Sequence, residues 1–224
     1  AGGSAAYPEG PGLNIPVNMS VAFHSDAGCH PTDKLVGTFM FYTIKDDDKE
    51  TTYPAGGDRI CNRDFADFIQ TQIVEDIRHT MMPTWQKRHL MHQSMSETRN
   101  PKVPSTIIEL LSHHNYYDMT FGLDPKFKFI ASRAIYKGML RFIHQTTGTP
   151  YVVQPLPVQQ MNIQYANNDS LHIRWAERID RLEPTATPTY YIIYTRTSQL
   201  KDGQWQTSDW DNGIRVNNPQ ATLP

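Results

Sequence analysis

His24 closes an alternating apolar run, Val17-Asn18-Met19-Ser20-Val21-Ala22-Phe23-His24, and Ser25-Asp26-Ala27-Gly28 turns the chain directly after it. An imidazole at the tip of a buried strand is well placed for chemistry, because open α/β sheets bind ligands at the carboxyl ends of their strands. Imidazole is the commonest metal ligand and suits zinc. The plainer alternative is a structural histidine held by hydrogen bonds. Glu109 is the second candidate. It interrupts the run Thr106-Ile107-Ile108-Glu109-Leu110-Leu111, and a carboxylate in a buried strand is costly unless it is paired, metal-bound or shifted in pKa. Ser112-His113-His114-Asn115 adds polar groups at the same strand end. The two strand ends suggest a water polarised by zinc, with Glu109 as general base. Bound zinc lowers the pKa of water to about 7, so a carboxylate can deprotonate it and an amide is hydrolysed without a covalent intermediate. Nucleophilic catalysis is less well supported: there is no G-x-S-x-G elbow, and neither Cys29 nor Cys61 lies in a nucleophile context.

Other groups have two readings each. Asp26 and one of His113 or His114 could join His24 in a metal site, with His30 also near in sequence, although His113 and His114 fit better as groove residues that stabilise charge on a scissile carbonyl. Arg99 either pairs with Glu97 or grips a peptide carboxylate, a task that suits its bidentate fork. The acidic tip Asp46-Asp47-Asp48-Lys49-Glu50 reads as a solvated turn before it reads as a cation site. His79, His89, His92, His144 and His172 read as surface or packing residues. Cys29 and Cys61 either form a disulfide or remain thiols.

Positioning these groups requires strands at about 17–24, 35–44 and 105–111. Between them, Phe65, Phe68, Ile69, Ile73 and Ile77 recur at helical spacing, with Asn62 as the expected N-cap and an end near Met81, ahead of Pro83. A longer helix is predicted from Asp124 and Pro125 to Gly148, its apolar stripe running through Phe127, Ile130, Ala131, Ala134, Ile135, Gly138 and Phe142. Strand, strand, helix, strand, helix implies an α/β layer structure over 1–148. PYVVQPLPVQQ reads as a linker, 149–157, and the alternating strands beyond it predict an all-β sandwich over 158–224.

With 224 residues, a net charge of −2 and no long basic block, nucleic acid is an unexpected partner. No run approaches the roughly 18 apolar residues of a spanning helix, so an integral membrane protein is not expected. Eleven Tyr, four Trp and sixteen Pro lean toward an extracellular or carbohydrate-facing surface. The first residues, AGGSAAYPEGPG, lack a signal-peptide pattern and read as an internal loop of a longer precursor.

These segments resemble the zinc-dependent N-acetylmuramoyl-L-alanine amidases of bacterial cell-wall hydrolysis. VAFHSDAG, 21–28, is similar to the family's Ser-x-His-x-(Asn/Asp)-Ala motif, whose His binds zinc, with Ala22 where Ser is usual. PSTIIELLSHHNYYDM, 104–119, is similar to the strand that ends in the catalytic Glu, placing Glu109 on that position and Asn115 on the loop Asn. Ile130 to Met139 follows the spacing of the closing helix. The spelling of FHSDAG, SETRNPKVP and ELLSHHNYYDM resembles a divergent Bacteroidetes-type branch, often labelled xanthan lyase, in which a fibronectin type III module follows the amidase-like part. The resemblance implies a three-layer amidase-like sheet with flanking helices, present in part, and a partial fibronectin type III-like sandwich. It further implies Zn2+ on His24, Glu109 as catalyst and Asn115 in the loop beside it; from the residues themselves, Asp26, His113, His114 and Arg99 join Asn115 as the groups expected to face substrate. Peptidoglycan or a related envelope glycan would be the partner, and the location would be secreted, periplasmic or cell-surface.

The departures are specific. The family's earlier zinc His and Glu have no counterpart here, because Glu9 stands in a Pro/Gly loop too close to His24, and the β-module is expected to lack its final strands. This piece alone is therefore expected to bind zinc poorly and to be inactive unless the missing portions of the same precursor are supplied. The alternatives are a non-catalytic envelope protein that holds glycan or protein, and a polysaccharide lyase using a Tyr or His base.

Overall fold

The computed structural model describes residues 15–28, 34–167 and 169–224. The expectations for Glu9, Cys29 and His30 lie outside these. The chain divides into two compact units, 1–151 and 152–224.

In the first unit, β1 (Ser20–Asp26), β2 (Thr38–Tyr42), β3 (Lys87–His92) and β4 (Ser105–Ser112) form a mixed sheet in the order β1-β4-β2-β3. β1 runs parallel to β4, β2 antiparallel to β4, and β3 parallel to β2. Side chains alternate across these strands. Met40, Ile108 and Leu110 enter a core with α1 (Cys61–Thr80) and α4 (Pro125–Thr147), where they meet Phe65, Ile69, Ile73, Phe127, Ala131, Ala134 and Phe142. The opposite parity carries Phe39, Ile107 and Glu109. Two short helices, α2 (Ser96–Arg99) and α3 (Tyr116–Gly122), flank β4 in sequence.

α4 has the predicted ends: the Asp124 side chain accepts from the Lys126 N–H, Pro125 stands in the first turn, and Gly148 closes the helix with φ of 70°. α1 differs at its start. Ile60 is its N-cap, without a side-chain cap bond. Asn62 is fully buried and works as a latch, accepting from Tyr53 Oη (2.6 Å) and the Ser105 N–H (2.8 Å) and donating to the Thr43 carbonyl (2.6 Å). Tertiary partners outcompete the capping position here.

Two features fix the pairing of α1 and α4. A Cβ on Gly138 would lie 2.7 Å from the Ile69 Cα, so only glycine permits this approach. One position away, Lys137 Nζ is buried and donates to both Asp76 carboxylate oxygens at 3.0 and 2.9 Å, and Gln72 donates to Asp76 at 2.8 Å.

The acidic tip is less solvated than expected. Asp46 is buried, accepts the Asp48 and Glu50 N–H groups at 3.0 Å, and pairs with fully buried Arg59 at 3.5 Å. Cys61 carries a free thiol.

The second unit is all-β. β5 (Gln159–Asn167), β6 (Ser170–Ala176) and β11 (Gln220–Leu223) form one antiparallel sheet in the order β11-β6-β5. β7 (Tyr191–Ile193) pairs with β10 (Ile214–Val216), and β8 (Ser198–Lys201) with β9 (Gln204–Thr207). The β8–β9 turn is Asp202-Gly203, both at positive φ, as a tight hairpin requires. Trp175 of β6 meets Tyr191 of β7 edge-to-face at 5.1 Å.

Candidate functional site

β1 and β4 are neighbouring parallel strands, and their register sets His24 opposite Glu109. Alternation then turns both side chains to one face, near the carboxyl ends of the two strands. His24 Nδ1 is 4.0 Å from Glu109 Oε1. The same imidazole meets a second carboxylate, with Nε2 2.8 Å from Glu97 Oε1. His24 thus lies between two acids.

Glu109 is mostly shielded, its side chain 13% exposed. Burial pushes its carboxyl above the usual carboxylate range, and Asp26 adds to the rise, while His24, Arg88 and His113 pull the other way. Its Oε2 is buried with no hydrogen-bond partner among the described residues. An acid with raised proton affinity is suited to general-base work.

The surrounding predicted residues are placed as follows. Asp26 pairs with Arg88 at 2.6 Å and accepts the Gly28 N–H at 2.6 Å. His113 Nδ1 lies 2.9 Å from Ser25 Oγ, the His113 N–H donates to the Asp26 carbonyl, and the His114 ring stands edge-on at 4.6 Å. These residues gather at the same strand ends as His24. Asn115 is fully buried and caps α3: it accepts the Asp118 N–H at 2.7 Å and donates to the Lys34 carbonyl at 2.7 Å. Arg99 pairs with Asp47 and donates to Ser94 Oγ at 3.0 Å, so the expected Arg99–Glu97 pairing gives way to Arg99–Asp47 and Glu97–His24. An apolar hollow of about 420 Å³ adjoins His24 and His113, lined by Phe23, Leu110, Leu111, Met119, Phe127 and Ala131.

Two contributors escaped the sequence. Asp118 is fully buried and accepts the Val36, Gly37 and Ser112 N–H groups at 2.9, 3.2 and 2.9 Å, tying the end of β4 to the lead into β2. Glu97 is the other, because its true partner is 73 residues away in the chain. A carboxylate three residues behind a buried Asn cap is a usable signal for Asp118. For Glu97 no local signal exists.

No family model matches this chain, and no curated protein does. Solved structures do. The N-acetylmuramyl-L-alanine amidase Ami1 from Mycobacterium smegmatis is similar at 18% identity over 57% of this chain and 55% of that one, with a TM-score of 0.44. AmiC2 of Nostoc punctiforme, an N-acetylmuramoyl-L-alanine amidase, gives 15%, 57%, 58% and 0.42. The CwlD amidase from Clostridioides difficile, solved in complex with the GerS lipoprotein, gives 18%, 59%, 57% and 0.42. The chain spans little more than half the length of these proteins. Likeness at this level fixes neither activity nor ligands.

A catalytic zinc takes three protein donors. Among the described residues no group of three His, Cys, Asp or Glu side chains comes close enough together to hold a metal ion. His24 is a single such donor, with one ring nitrogen already engaged by Glu97. The described residues therefore do not by themselves fit the expected zinc.

Proposed function

We propose that the first unit is part of an amidase that hydrolyses the bond between N-acetylmuramic acid and the stem peptide of peptidoglycan. The observation that carries this is the shared register position of His24 and Glu109 on adjacent parallel strands, which brings together the two residues that the motif resemblance singled out. In this role Glu109 accepts a proton from the attacking water, and its raised proton affinity makes it a stronger base than an ordinary surface carboxylate. His24 and His113 line the place where the scissile carbonyl would sit. Since the described residues supply no three-donor group, they alone are expected to hold zinc weakly. A stoichiometry near one with tight binding to the chain alone would overturn that expectation.

The test uses the protein in its natural form on purified peptidoglycan. Clearing of turbidity with release of stem peptides, abolished by chelation and by Glu109→Gln, is the expected result. Clearing that persists in Glu109→Gln removes the proposal. Absorbance from unsaturated sugars would identify a lyase instead.

A second, non-catalytic proposal, an envelope-binding protein, draws on the exposed aromatics of the all-β unit, Tyr165, Trp205 and Trp210. Flat rings with polar edges are suited to glycan surfaces. We place this unit as a fibronectin type III-like module, and the whole protein outside the cytoplasm, on the strength of the same resemblance.

A further inference from the structure

Glu97 projects from α2, a four-residue turn with little stability of its own. Buried groups hold that turn in place. Thr98, fully buried, shares a 2.6 Å hydrogen bond with Thr43 Oγ1, and Ser105 Oγ donates to the Thr98 carbonyl at 2.9 Å. Fully buried Arg59 donates to the Arg99 and Pro101 carbonyls at 3.3 and 3.4 Å. The backbone beneath Glu97 is fixed from three sides. His24, in contrast, is 41% exposed on the edge strand β1.

We propose that Glu97 is a positioning residue for His24: it accepts the Nε2–H hydrogen bond and so holds the ring with Nδ1 turned toward Glu109. A carboxylate can only accept when ionised, so the 2.8 Å contact puts the ring hydrogen on Nε2. At 4.0 Å the Nδ1–Glu109 separation is too long for a hydrogen bond, so nothing there demands a hydrogen on Nδ1. The partner of one ring nitrogen decides what the other can do. Here Nδ1 is left facing the Glu109 carboxylate. A carboxylate behind a working histidine orients the ring and raises its basicity. This assignment rests on the amidase reading only for the importance of His24.

The experiment is imidazole 15N and 1H NMR on the 224-residue chain under mildly alkaline conditions, with the His24 signals assigned by their loss in His24→Gln. The wild type is expected to show a bare Nδ1 and a downfield Nε2–H. Glu97→Ala should abolish that proton signal, while Glu97→Gln, whose amide oxygen still accepts, should keep it at a less downfield position. Glu109→Gln should leave it in place. A wild-type hydrogen on Nδ1, an Nε2–H unchanged in Glu97→Ala, or a signal lost in Glu109→Gln instead would overturn the assignment. Neither zinc nor substrate enters the measurement, so failure to clear peptidoglycan with the tautomer as stated counts against the amidase reading alone.

Discussion

Glu109 shows why a single residue type can be diagnostic. Only its burial among isoleucines and leucines marked it out in the sequence, and that burial is the first cause of its raised pKa. Its linkage to stability follows from the direction of the shift. Because the folded-state pKa lies above the ordinary value of 4.5, the native state binds more protons than the unfolded chain between the two values. The contribution is present below about 4.5 and is lost as pH rises through the folded pKa. Wild type should therefore lose stability relative to Glu109→Gln as pH rises across that window, read from urea midpoints of both proteins. Parallel pH profiles would remove burial as the cause. His24 was legible from its place at a strand tip, but its bond to Glu97 was not, since neither residue carries a local mark of the other. Asn115 was legible as important, and the structure shows where its side chain is spent: on the first turn of α3 and on the Lys34 carbonyl.

Helices and strands were legible where one physical pattern dominated. α4 had a capping Asp, a first-turn Pro and a terminal Gly in agreement, and its bounds followed. β3, KRHLMH, carried too many charged and polar side chains to be read as a strand, yet it pairs with β2 at the sheet edge, where such residues remain exposed. The start of α1 was misassigned because tertiary hydrogen bonds drew Asn62 inward. The α1–α4 contact supplies two predictions. Gly138→Ala should destabilise the unit by about 1–3 kcal/mol, because the added methyl meets Ile69 backbone that cannot retreat cheaply. Lys137→Met should cost more, about 3–5 kcal/mol, by leaving Asp76 charged and buried without its cation. Adding Asp76→Asn to Lys137→Met should recover part of that loss. Denaturant unfolding of wild type, Gly138→Ala, Lys137→Met, Asp76→Asn and the double mutant checks both statements, and an additive double mutant would show that the two groups do not interact.

Across the molecule, the hydrophobic period of the sequence changes near residue 150, and the chain divides into units 1–151 and 152–224. What the sequence could not disclose was how the site depends on parts that never face it. Asp118 ties two loops to the end of β4, and Thr43, Thr98 and Arg59 hold α2 so that Glu97 meets His24. Thr98→Val keeps the shape and removes the hydroxyl, stranding Thr43 Oγ1 with only the Gln93 carbonyl. It should lower stability by about 1–3 kcal/mol and weaken the His24 Nε2–H signal in the folded protein. An unaltered signal would show that α2 is held well enough without it. Random mutagenesis scored only for the proposed activity would then return hits at interior hydroxyls and an enclosed guanidinium alongside Glu97 and Glu109. Those interior positions would look like folding defects in any assay that did not watch the imidazole itself.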